Sequence, residues 1–189
     1  MVGAPEIRRL GQRDLCDGFT SGDEALDAFF RQYAKQNERR SVTATSVAVV
    51  DGVLAGFVTV VPSGIDPARL KGLVKGLPRQ SAGVLVLARM ATDTRFQGKG
   101  IGSALLRDVV FAGALELAAR FGCVGILVDA KPGAVAFYAK YGFVSLLAET
   151  TAADDAIATG SRESLPPQTS PTSMFLPLET VRRAASPGG

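Results

Sequence analysis

The stretch Arg95-Phe96-Gln97-Gly98-Lys99-Gly100-Ile101-Gly102 constrains this chain more than any other. An apolar run, Val84-Leu85-Val86-Leu87-Ala88-Arg89-Met90-Ala91, precedes it, and a helical pattern begins near Ser103. A glycine-rich turn between a strand and a helix N-terminus is a phosphate cradle. Glycine lets the backbone come close, and the unpaired N–H groups of the helix start point at the anion. A loop that merely turns the chain is the plain alternative. It is disfavoured because three glycines at alternate positions carry an entropic cost that close backbone approach would explain.

Two common phosphate loops fail here. The P-loop needs Gly-x-x-x-x-Gly-Lys-Ser/Thr, but Asp93 stands five before Gly98 and Gly100 follows Lys99. The dinucleotide fingerprint needs a third glycine where Ser103 stands, and an acidic residue ending a strand about twenty residues on. What fits is Arg/Gln-x-x-Gly-x-Gly/Ala, read as Arg95-Phe96-Gln97-Gly98-Lys99-Gly100.

The rest of the composition narrows the chemistry. With 189 residues, 47% hydrophobic and 21% charged, residues 1–189 read as one globular domain. No apolar run reaches the length of a membrane span, and residues 1–10 lack the apolar core of a secretory signal. Cys16 and Cys123 suit isolated buried thiols in a reducing, cytoplasmic setting. The chain has no histidine. That excludes Ser-His-Asp and Cys-His nucleophile pairs and histidine zinc sites, and no metal is expected.

Patterning predicts a mixed α/β sheet flanked by helices. Ser21-Gly22-Asp23-Glu24 reads as a capping box with Ser21 at the N-cap and Glu24 at N3. The helix it starts carries Leu26, Phe29, Phe30 and Tyr33 on one side. Arg31, Lys35, Arg39 and Arg40 form a basic ridge on the other, either a solvated face or a phosphate-tracking one. Val47–Val50 and Val53–Val61 flank Asp51-Gly52, a type I′ hairpin signal. A weak helix over 66–77 with Arg69, Lys71 and Lys75, then Arg79, makes a second basic cluster. After the glycine loop comes a helix ending at Gly122, a strand over 124–128, a short helix over 134–141 and a strand from Phe143. Residues 149–172 turn to Ala, Thr, Ser, Asp and Pro and are expected to be a flexible insert. Met174–Leu178 is a last strand, at an edge or a bulge because of Pro177.

Three pieces resemble the GNAT superfamily of N-acyltransferases: residues 87–100, the hairpin before them, and Ala136-Phe137-Tyr138-Ala139-Lys140-Tyr141-Gly142-Phe143, similar to that family's Phe-Tyr-x-x-x-Gly-Phe. The resemblance covers most of 7–148 and 173–180 and implies the GNAT acyl-CoA N-acyltransferase fold. It implies acetyl-CoA as cosubstrate. Backbone groups of Met90, Ala91 and Thr92 would bond its pantetheine, and the loop of Arg95, Gln97, Gly98, Lys99, Gly100, Ile101, Gly102 and Ser103 its pyrophosphate. Tyr138 would be the general acid for the leaving thiolate, with Tyr141 as a weaker substitute. No base stands out; Asp93 and Glu116 qualify by charge alone and read as surface residues. An α-amino group, with a pKa near 7.7–8.0, needs little help from one.

A narrower set resembles the GNAT toxins of bacterial toxin–antitoxin modules: residues 19–30 with the basic helix, Leu87–Ala91, Val128–Lys131 and Met174–Leu178. This resemblance implies acetylation of aminoacyl-tRNA, so blocking translation, with Arg31, Lys35, Arg39, Arg40 and Arg89 (and Lys71, Lys75 and Arg79) on tRNA phosphates. It also implies a ribbon-helix-helix antitoxin and a homodimer. The insert departs from that pattern. A GNAT enzyme acting on a small amine or protein amino group is the alternative, favoured by a net charge of only +3. A non-catalytic acyl-CoA-binding module is the third reading.

Overall fold

The computed structural model describes residues 3–14, 16, 18–77, 79–146 and 170–185. Nearly all of the expected insert lies outside them; of 149–172 only 170–172 are described, and Thr172 opens a strand.

Among the described residues seven strands form one mixed sheet: β1 (Glu6–Arg9), β2 (Ala44–Val50), β3 (Val53–Ile65), β4 (Ala82–Thr92), β5 (Gly125–Ala130), β6 (Val144–Ser145) and β7 (Thr172–Pro177). Their order is β1-β2-β3-β4-β5-β7-β6. Of these seven, only β4 and β5 pair in parallel, as a crossover through a helix requires. The β2–β3 hairpin turns at Asp51 (φ 49°) and Gly52 (φ 78°), the two positive values a type I′ turn demands.

The crossover runs from Ile101 to Arg120: α3 (Ile101–Leu105), a π-helical segment (Leu106–Phe111) and α4 (Ala112–Arg120). Gly122, at φ 85°, follows the C-cap Phe121 as expected. Leu105, Leu106 and Val110 bury against Leu85, Leu87, Ile126 and Val128 on one face of the sheet, together with α5 (Val135–Ala139) and α6 (Leu178–Ala185). α3 sits close over β3 because residue 56 is glycine: a Cβ there would come within 2.8 Å of Ile101.

The other face carries α1 (Glu24–Gln32) and α2 (Ala34–Arg39) at one end. There Phe30 stacks on Phe57 at 4.3 Å, and Phe19 meets both rings edge-on. Burying each such ring contributes roughly 1.5–3 kcal/mol. A separate cluster, with Ile65, Leu70, Val84 and Phe175, fills the other end.

Several expectations are corrected. Asp23, not Ser21, caps α1: its carboxylate accepts from the N–H groups of Ala25 and Leu26. Ser21 is turned to the buried Asp27, whose carboxylate takes bonds from Ser21 N and Oγ and from Thr20 Oγ1. Glu24 is therefore the first helical residue, and it pairs with Arg31. The single basic helix is two helices broken at Tyr33. Over 66–77 only a 3-10 turn forms (Pro67–Leu70), because Gly72 and Gly76 take positive φ. β7 lies inside the sheet rather than at an edge. Leu178 N–H donates to Val124 O, so the nitrogen of Pro177 faces the β6 side, beyond the reach of that two-residue strand. β1 and α6 were not anticipated.

Candidate active site

β4 stays paired to β3 out to Thr92, but pairs with β5 only from Leu85 to Leu87, opposite Ile126 to Val128. The divergence has a local cause. Thr59 lies opposite Arg89 and Val60 opposite Leu87, which leaves Ala88 as an extra residue, a β-bulge that bends β4 away. Past the fork, the β5-facing edge of Ala88 to Thr92 has no strand beside it among the described residues. A ligand bearing amide groups can bond to such an edge as a strand would. A cleft of about 740 Å³ opens here, lined among others by Leu87, Ala88, Arg89, Met90, Val128 and Tyr138.

At the end of β4 the glycine loop leads into α3. Gly98 (φ 73°) and Gly100 (φ 85°) are left-handed with nothing within 4 Å of a Cβ, so conformation rather than crowding requires glycine. Gly102 has negative φ and ordinary contacts to Thr92 and Phe137. The N–H groups of Gly98, Gly100, Ile101, Gly102 and Ser103 carry no hydrogen bond among the described residues. This row of donors at a helix start fits a pyrophosphate.

Side chains brace the loop from behind. Gln97 Nε2 donates to Thr92 O and Ser21 O, and Lys99 Nζ to Arg95 O. Arg95 is turned to Asp93 and to Gly18 O rather than into the cradle. Asp93, expected at the surface, is fully buried. Burial pushes its carboxyl up, but the Arg95 side chain and the N–H groups of Arg95 and Thr20 outweigh it and hold the carboxyl below its ordinary value. It is a structural hub, and nothing leaves it a proton acceptor for a substrate. Glu116 is exposed on α4.

Tyr138 sits on α5 at 5% exposure, its ring between Phe137 (5.2 Å) and Phe143 (5.3 Å). It lines the cleft, and its hydroxyl makes no hydrogen bond among the described residues. Burial raises the phenol above its ordinary value of 10.0, so it keeps its proton. That suits an acid and not a base. Tyr141 lies beyond α5, packed on Phe111 and Phe137, and does not line the cleft.

Of the basic residues singled out in the sequence, Arg89 reaches the cleft. Its guanidinium lies 5.6 Å over the Phe29 ring and donates to Ala88 O. Arg31 is paired with Glu24, and Lys35 donates to Asp14 O. Arg39 and Arg40 are exposed on α2 and its C-cap. Lys71, Lys75 and Arg79 lie along the β3–β4 connection, and none of them lines the cleft. Phe29, Tyr33, Asp129 and Lys131 line the cleft without having been assigned roles. For Asp129 a signal existed: a charged residue alternating with apolar ones at the carboxyl end of a central parallel strand, where open α/β sheets bind ligands. Among the described residues, no three His, Cys, Asp or Glu side chains gather to hold a metal, and no helix is long and apolar enough to cross a membrane.

Residues 42–145 match the acetyltransferase (GNAT) domain family. The tRNA-acetylating toxin of Mycobacterium tuberculosis (strain ATCC 25618 / H37Rv) is 32% identical over 144 residues, covering 76% of this chain and 86% of that protein. Among solved structures, AtaT complexed with acetyl-methionyl-tRNAfMet superposes with a TM-score of 0.75 at 21% identity, covering 96% of this chain and 99% of that one. A variant of the AtaT toxin bound to the C-terminus of the antitoxin AtaR gives 0.74 at 18%, covering 97% and 99%. The family match spans the hairpin, the forked strands, the glycine loop and Tyr138 in one continuous segment, and with it the chain belongs to the GNAT acetyltransferases, enzymes that draw on acetyl-CoA.

Proposed function

We propose that this acetyltransferase modifies the α-amino group of aminoacyl-tRNA, with Tyr138 as general acid. The observation that carries the chemistry is the placement of Tyr138: a buried, protonated phenol at the fork, on the face opposite α1. The strand edge of Met90, Ala91 and Thr92 and the loop from Gln97 to Ser103, through the unpaired N–H groups of Gly98, Gly100, Ile101, Gly102 and Ser103, would hold the donor. The neutral amine attacks the thioester carbonyl carbon. The C–N bond forms, the C–S bond breaks, and the leaving sulfur takes the Tyr138 proton, which solvent replaces. The proton lost by the amine goes to water.

The kinship with a tRNA-acetylating toxin supports the tRNA acceptor. Arg31 and Lys35 are engaged within the chain and Arg39 and Arg40 are exposed, so the phosphate-binding role falls first to Arg39 and Arg40; Arg89, also held to Ala88 O, is retained because it alone of the five lines the cleft. An antitoxin partner and a homodimer belong to the same reading. The engaged cations are also what favours the second reading, a small or protein amine.

One experiment separates the two. The protein is incubated with acetyl-CoA and total aminoacylated tRNA, and the released aminoacyl-adenosines are weighed by mass spectrometry. N-acetylated products that vanish in Tyr138→Phe support the proposal. No product, with acetyl-CoA binding intact, points to the alternative acceptors.

A further inference from the structure

Asp129 stands at the fork itself. Val128 is the last residue of β5 paired to β4, so Asp129 is the first beyond it, and the bulged Ala88 is its counterpart on β4. Alternation along β5 puts its side chain with Leu127, on the face that carries α1, while Val128, Ala130 and Tyr138 pack on the opposite face. The carboxylate is oriented: Ser173 Oγ, directly across on β7, donates to Oδ1 at 2.6 Å. Oδ2 makes no hydrogen bond or ion pair among the described residues. Asp129 is the one carboxylate among the described residues that line the cleft.

The charges facing it are few. β4 presents Arg89, held to Ala88 O and over Phe29. Just past β5 stands Lys131, whose ammonium is taken by Asp23 at the start of α1. β7 presents Ser173, and the α1–α2 junction Tyr33. A carboxylate with a spare oxygen thus lies across the fork from the proton donor, and a guanidinium shares its face.

From this placement, and resting on the aminoacyl-tRNA reading, we propose that Asp129 binds the acceptor's amino group. The α-amine of an aminoacyl ester, with a pKa below the roughly 7.7–8.0 of an ordinary α-amino group, arrives in part as ammonium at neutral pH and mostly so on the acid side. Oδ2 receives it by a charge-assisted hydrogen bond, roughly twice as strong as a neutral one. After the amine gives its proton to water, the same oxygen accepts a remaining N–H and keeps the lone pair turned to the fork. Arg89 on the same face takes a neighbouring phosphate. The cleft therefore selects an amine flanked by an anion, the polarity of an aminoacyl nucleotide.

The test is Asp129→Asn, which keeps the size of the side chain and an oxygen for Ser173 but cannot pair with an ammonium. The KM for aminoacyl-tRNA is measured, with kcat beside it, for wild type and variant from about pH 6 to pH 9, across the α-amine pKa, with acetyl-CoA affinity and thermal midpoint alongside. The expected rise in that KM is about tenfold at the acid end and shrinks at the alkaline end, where the amine arrives neutral. Acetyl-CoA affinity and midpoint stay unchanged, and Ser173→Ala gives a smaller rise of the same pH shape. An unchanged KM, or a rise that does not vary with pH, overturns the assignment while leaving the tRNA reading intact. A wild type that leaves aminoacyl-tRNA unmodified overturns both.

Discussion

Lys131, just past the end of β5, forms an ion pair with Asp23, the residue that caps α1. The two are 108 positions apart in the chain. The carboxylate is shared: Oδ1 accepts the N–H groups of Ala25 and Leu26, and Oδ2 meets the lysine. Leu26 and Phe29 of the same helix line the cleft. The pair therefore ties the helix on the acceptor side to the strand that carries Asp129.

Both partners are partly exposed, so the bridge itself adds little to stability. Lys131→Met is expected to cost under about 1 kcal/mol in urea unfolding yet to raise the KM for the acceptor, because α1 loses its tether. Asp23→Ala also removes the cap and loses about 1 kcal/mol more. Lys131 is the largest cause holding the Asp23 carboxyl below its ordinary 3.8. The contribution of Asp23 is thus complete above that value and drains as pH falls through the lower folded one. The gap between wild type and Asp23→Ala should narrow as pH falls below 3.8; a gap constant through that acid range would contradict the pairing.

The glycine loop makes a sharper forecast, because its glycines are there for different reasons. Gly100→Ala places a Cβ in open space but at φ 85°, where an L-residue loses roughly 1–2 kcal/mol. Relaxing that strain should turn the loop's N–H groups away from their common target and weaken acetyl-CoA binding, read by calorimetry. Gly102→Ala meets only ordinary contacts at 3.6 Å and beyond and is expected to bind acetyl-CoA nearly as wild type does.

What was legible in the sequence is what local chemistry determines. Asp51-Gly52 specifies its turn, Gly122 ends its helix, and Gly98 and Gly100 mark a loop that must go left-handed. What was not legible depends on partners distant in the chain. Ser21 looked like a cap until the buried Asp27 claimed its hydroxyl. Lys35 looked like a ridge cation until the loop at Asp14 claimed its amine. β1 hides because Glu6, Arg8 and Arg9 surround a single apolar Ile7, a composition an edge strand tolerates. α6 could have been found: Leu178 and Val181 are spaced for one helix face, with Arg182 and Arg183 in the last turn. At the site, the bulge at Ala88 acquires meaning only once β4 and β5 are seen to part, whereas Asp129 left a trace in the alternation of its strand.

Asp93 tests whether the loop is held from behind. Its carboxylate takes bonds from Thr20 N, Arg95 N and the Arg95 guanidinium while fully buried. Asp93→Ala leaves those donors unsatisfied, and roughly 2–3 kcal/mol of stability should go with them, along with acetyl-CoA affinity. Its carboxyl is held low, so its stabilisation persists at neutral pH and is lost as pH falls through the folded value, below the ordinary 3.8. Stability of the alanine variant should depend less on pH in that acid range than that of wild type.

Tyr138 gives the last prediction, through its pH dependence. Burial raises the phenol, so the proton it donates is present throughout the working range and does not define an alkaline limb. kcat/KM should rise as the acceptor amine loses its proton, below the roughly pH 7.7–8.0 of an ordinary α-amine because the ester lowers it, and then stay level to about pH 10 instead of tracing a bell. Tyr138→Phe should lower kcat by roughly 10²–10⁴-fold while acetyl-CoA affinity holds, because nothing in the glycine loop depends on the hydroxyl. A residual rate in the phenylalanine variant should rise through the same amine pKa as wild type. An alkaline fall near pH 9 in wild type that disappears in the variant would show instead that the phenol is exposed to water in the working enzyme.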